Sequence, residues 1–121
     1  MKGFLSVALL ALVLLAGCTS GPTPPKVLEP GADGAYHVLM AGSRFIPSNA
    51  QVPVGANVTW SNQEGVPHDV HATDGSYSSG AIAGMSQGET FTQRFTAAGT
   101  YTYVCKAHES LGMKGTITVV A

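Results

Sequence analysis

"GTYTYVCKAHESLGMKGTITVV", residues 99–120, decides how this chain is read. In its first part Tyr101, Tyr103 and Cys105 fall on one face of an extended segment, with Thr100 and Thr102 on the other. In its last part Ile117 and Val119 alternate with Thr116 and Thr118. Period-two alternation of aromatic and β-branched residues is the signature of half-buried strands. Between these two strands lies "CKAHESLGM" (105–113), which brings a thiol, an imidazole and a thioether into one short loop.

The same period recurs upstream. "YHVLMA" (36–41), "AQVPVG" (50–55), "NVTWSN" (57–62), "HDVHA" (68–72) and "TFTQRF" (90–95) are short and rich in Val, Thr and aromatic residues. Gly, Pro, Asn or Asp bound them, as turns require. No stretch has the pattern of an amphipathic helix. At most "SSGAIAGMS" (78–86) holds a helical turn, and its glycines argue against more. The spacing predicts an all-β domain over residues 35–121, a Greek-key antiparallel β-sandwich of seven to eight strands. Such a fold carries loops at both ends of a stiff scaffold.

The first residues read differently. Lys2 precedes the apolar run "FLSVALLALVLLAG" (4–17), which is short for a membrane span. The run ends in "LAGC" (15–18), which resembles a bacterial lipobox. Residues 1–17 are therefore expected to be a lipoprotein signal peptide, with Cys18 lipidated after cleavage. Lipid there anchors a protein to the membrane without spanning it. The plainer alternative is an ordinary secretory signal with a chance cysteine at the cleavage site. Residues 18–34 follow as a Pro/Gly-rich tether, which at ~3.1 Å per residue reaches roughly 50 Å from the membrane. An exported destination follows, on the periplasmic or outer face of a cell membrane.

Charged residues make up 11% of the chain and the net charge is −1. No basic surface argues for nucleic acid. Cys105 is the one cysteine of the folded part, so a disulfide within it is excluded. Exported thiols live under oxidising conditions. An unpaired one is either buried and inert, or a reactive or metal-bound thiolate.

Thiolate and thioether are soft donors and imidazole is intermediate, a set that suits copper. Blue-copper sites use two His, one Cys and a weak axial Met. The loop supplies all but one His, so the second has to come from another loop at the same end of the sandwich. "GVPHDVHATDG" (65–75) offers His68 just after a Gly/Pro turn. His71, three residues on, points to the opposite face if the segment is a strand. His37 has no donor near it in sequence. Each donor also has a purely structural reading: a buried Cys105, a gap-filling Met113, a surface His108. Met40 and Met85 read as core fillers, and His37 and His71 as solvent-side or locally hydrogen-bonded.

The motifs "PHDV" and "CKAHESLGM", with "GTYTYVC" before and "KGTITVV" after, resemble those of cupredoxins, most of all the plastocyanin, halocyanin and amicyanin group. The resemblance covers residues 36–121. It implies one type 1 copper ion, with His68, Cys105 and His108 as strong ligands and Met113 as the long axial one. It implies a one-electron carrier rather than an enzyme, a monomer that meets redox proteins transiently. Three positions depart from the plastocyanin pattern. Asp69 replaces the usual Asn and is expected to accept from the backbone near Lys106. Ala107 replaces a Pro and restores an N–H able to point at the Cys105 sulfur. Val104 replaces a surface Tyr, which moves the expected electron port to the edge of His108, within a patch of Pro67, Ala107, Leu111 and Gly112.

Other functions compete. A copper carrier or reservoir delivering the ion to an oxidase needs exchangeable donors, and the spare ones are not clustered. Copper oxidases and nitrite reductases need further histidine clusters and domains. A thiol hydrolase built on Cys105 and His108 has nothing to mark a cleft. A metal-free adhesive sandwich leaves the four donors unexplained.

Overall fold

A computed structural model describes residues 23–121. The expected signal peptide and Cys18 lie outside the described residues. Among the described residues nine strands form: β1 (Lys26–Val27), β2 (Tyr36–Ala41), β3 (Arg44–Ile46), β4 (Asn49–Pro53), β5 (Asn57–Asn62), β6 (His71–Ala72), β7 (Thr90–Arg94), β8 (Gly99–Val104) and β9 (Lys114–Val120). They pair into a five-stranded sheet, β1-β4-β9-β8-β6, and a four-stranded sheet, β3-β2-β5-β7.

Alternation sets which faces meet. β9 turns Gly115, Ile117 and Val119 inward, β2 turns Val38 and Met40, and β5 turns Val58 and Trp60. Trp60 is wholly buried at the centre, 5.7 Å from the Phe91 ring and 5.2 Å from Tyr103. A buried aromatic of ~150–250 Å² contributes roughly 4–6 kcal/mol of transfer free energy, so this cluster is the main fastening between the sheets.

The sandwich differs from a purely antiparallel one. β1 runs parallel to β4, β4 to β9 and β2 to β5. The chain leaves β2, forms β3 beside it and then crosses to the other sheet as β4. It returns as β5 in the same direction as β2, and parallel neighbours require such crossovers. Two strands go beyond the sequence reading. β1 lies in the segment read as tether, and Leu28 behind it packs on the core. β3 has only three residues between a glycine turn and Pro47, too few to show a period. The segment 78–86 forms turns rather than helix, and the "HDVHA" strand shrinks to β6.

Candidate metal centre

Cys105 follows β8 directly and is wholly buried. The chain then turns through a 3₁₀ helix, Lys106–Leu111, which kinks at His108. Gly112, at φ 79°, ends it in the left-handed conformation that lacks a steric penalty only for glycine. The loop closes on itself: Cys105 N–H donates to the Met113 carbonyl at 3.0 Å, and His108 N–H to the Cys105 carbonyl at 3.1 Å. Met113 is thereby returned next to Cys105, itself 1% exposed.

His68 comes from a second loop pinned in two ways. Its N–H and carbonyl exchange bonds of 3.1 and 2.9 Å with Met85. The buried Asn62 amide donates to the carbonyls of Val66 and Met85, both at 2.9 Å. Met85 is thus more than the core filler expected, because its backbone holds a ligand loop. Met40 is plain core.

These loops bring three donors to one point. His68 Nδ1 lies 3.2 Å from His108 Nδ1, and Cys105 Sγ lies 3.9 and 3.5 Å from the same two nitrogens. All three donor atoms fall within 4.8 Å of one another. A metal at ~2.0 Å from nitrogen and ~2.3 Å from sulfur, with angles near 120°, spaces its donors by roughly 3.5–3.7 Å. The triangle matches such an ion to within about 0.3 Å, and a thiolate with two imidazoles is a donor set that suits copper.

Two carboxylates surround the triangle. Glu64 Oε1 accepts from His68 Nε2 at 2.6 Å, the ring nitrogen on the far side from the donor triangle. With Nε2 carrying the proton, the Nδ1 lone pair is free for the metal. Glu64 is itself gripped by the N–H groups of Gly42 (2.9 Å) and Ser43 (3.2 Å), in the turn between β2 and β3. Those donors, Gly42 first, then His68 and Ser43, pull its carboxyl down to about 2. Sequence reading missed Glu64. Its only trace was an acid four residues before the histidine.

Asp69 is fully buried. Its Oδ1 accepts from Lys106 N–H at 2.7 Å, and its Oδ2 from Ala107 N–H at 3.1 Å and Ala83 N–H at 2.9 Å. Burial alone would raise its carboxyl, but these bonds outweigh it and hold the group below the ordinary aspartate value. The Ala107 N–H therefore serves Asp69, not the Cys105 sulfur as expected from sequence. Asp69 Oδ2 also sits 3.5 Å from Cys105 Sγ. Burial pushes the Cys105 thiol up, and the charge of Asp69 adds to the rise, while the backbone N–H groups of Asp69 and His108 oppose it. Loading a metal onto this thiol releases its proton.

The remaining histidines lie outside the triangle. His37 pairs with Asp33 at 3.0 Å. His71 Nε2 lies 3.3 Å from Asp69 Oδ1, near enough for attraction but not aligned as a hydrogen bond. Around the centre His108 and Ala107 are half-buried, and Pro67, Gly112 and Leu111 are exposed, Leu111 by 70%.

Fold and donor set together define a cupredoxin with a mononuclear copper site. The profile of the copper-binding proteins of the plastocyanin/azurin family matches residues 35–120, and the chain belongs to that family. It is 34% identical over 122 residues to the amicyanin of Paracoccus denitrificans, covering 92% of each chain. It is 40% identical over 83 residues to the plastocyanin of Scenedesmus fuscus, 62% of this chain and 85% of that one. A purple cupredoxin from Nitrosopumilus maritimus superposes with a TM-score of 0.59 at 26% identity, over 69% of this chain and 98% of the other. The family makes this a type 1 copper electron-transfer protein.

Proposed function

We propose that this chain carries single electrons between redox proteins at the outer side of a cell membrane, tethered there through lipidated Cys18. The observation that carries the reading is the donor triangle, three ligands already spaced for one ion within a hydrogen-bonded scaffold. A bound copper ion there supplies the Cu(II)/Cu(I) couple. The protein's part is to keep the donors still. Loops stitched by Met85, Asn62 and Asp69 need move little when the charge changes, which keeps reorganisation small. The electron's route is the half-buried His108 within the patch of Pro67, Ala107, Leu111 and Gly112. A small apolar surface of this kind suits brief docking of a partner. Copper delivery is the weaker reading: among the described residues only one donor cluster forms, and the spare His37 is tied to Asp33.

The test is a visible spectrum of the domain after one equivalent of Cu(II), then ascorbate, then an oxidant. Intense blue that bleaches and returns is expected. Absence of colour, or rapid loss of copper to an acceptor protein, overturns the shuttle. The anchor is tested separately: Cys18→Ser is expected to leave the membrane fraction, and unchanged partition and mass refute lipidation.

A further inference from the structure

We infer that Asp69 and Ala107 act as a matched pair that biases the centre toward Cu(II), Asp69 being a positioning residue whose charge lowers the redox potential. The inference rests on the copper reading and extends it. Both Asp69 oxygens are in use: Oδ1 takes the Lys106 N–H at 2.7 Å, and Oδ2 takes those of Ala107 and Ala83. An asparagine has one acceptor oxygen and one donor amide. Whichever way it turned, its NH₂ would oppose a buried backbone N–H. Three N–H groups arriving from two sides therefore call for a carboxylate. The third donor exists because residue 107 is not a proline, which has no N–H.

The consequence is electrostatic. Asp69 Oδ2 lies 3.5 Å from Cys105 Sγ, in a position 0% exposed. Two negative atoms that close repel, and the metal charge between thiolate and histidines offsets it. Cu(II) offsets it better than Cu(I), so a buried carboxylate here stabilises the oxidised form. The three N–H bonds and His71, 3.3 Å away, soften the effect without cancelling the charge.

The experiment is a redox titration of copper-loaded protein, native against D69N and D69N/A107P, with the visible spectrum and melting temperature of each. In D69N the Cu(I):Cu(II) ratio at a fixed poise is expected to rise about tenfold, which is ~59 mV for one electron. The double variant removes one of the two N–H groups that an amide NH₂ in the Oδ2 position would face, leaving only that of Ala83. It is expected to show the raised potential as well. Blue spectra with an unchanged or lower potential in both overturn the inference while leaving the copper site standing. Failure of both variants to bind copper, where native protein turns blue, assigns Asp69 to folding alone and overturns it too. A native protein that never turns blue refutes the copper reading instead.

Discussion

Glu64 fixes a property that the ligands cannot fix for themselves. A neutral imidazole has two tautomers, and only one leaves Nδ1 unprotonated toward the donor triangle. The carboxylate at 2.6 Å from Nε2 selects that one and makes the ring a better donor. Glu64→Gln keeps a hydrogen bond but loses the charge, and its amide can present either an oxygen or an NH₂ to the ring. Cu(II) affinity is expected to fall about 10–100-fold, the usual cost of removing such a partner. Competition against a chelator of known affinity measures it. Unchanged affinity would show that the backbone bonds to Met85 orient His68 without help from the charge of the acid.

Among the elements, β8 and β9 carry the centre, and their contact has one tight point. Gly115 is paired with Tyr103 across the two strands. A Cβ at residue 115 would overlap the Tyr103 ring, coming within 2.9 Å of Cε2 and closer still to Cζ and the hydroxyl. Tyr103 is 0% exposed and rests against Phe45 at 4.6 Å, so it has nowhere to retreat. Gly115→Ala is expected to destabilise by about 1–3 kcal/mol, the cost of overpacking a full core. Urea denaturation reads it, and a loss below ~0.5 kcal/mol would mean the strands part easily. The sequence displayed most of these elements, because β2, β5, β8 and β9 alternate for long enough to show a period. It also displayed the donors, since Cys105, His108 and Met113 share one loop at a fixed spacing. It hid β1, whose two residues have no period, and β3, which is nearly as short. It hid the clamp on Glu64 as well, because the N–H groups of Gly42 and Ser43 are backbone and leave no mark in residue type. Asp69 was visible as a departure, but which N–H groups it would gather was not: Ala83 arrives from a turn with no sequence signal.

At the scale of the whole molecule, the aromatic core that holds the sheets apart at a fixed distance contains two phenols out of water. Tyr77 is 8% exposed and Tyr103 0%, and among the described residues neither hydroxyl makes an aligned hydrogen bond, although the Trp60 indole lies beside that of Tyr103. Burial raises both above the ordinary tyrosine value, with the neighbouring Tyr103 and Asp74 adding to the rise at Tyr77. An unfolded chain releases these protons near pH ~10. The folded chain holds them to higher pH, so the unfolded state binds fewer protons in between and stability falls as pH rises. The contribution is fully present below pH ~10 and is lost upward through the raised folded values. Each phenol that stays protonated costs roughly 1.4 kcal/mol per pH unit in that window. Tyr103→Phe removes one of the two and also deletes an unpaired buried hydroxyl, a change expected to be near neutral at pH 7. Urea denaturation at pH 9, 10 and 11 is expected to show a steep alkaline loss in the native protein and a slope shallower by one phenol's share in the variant. Equal slopes would mean that Tyr103 ionises inside the fold, so that water reaches the centre of the sandwich and the copper loops stand on a softer scaffold than their hydrogen bonds imply.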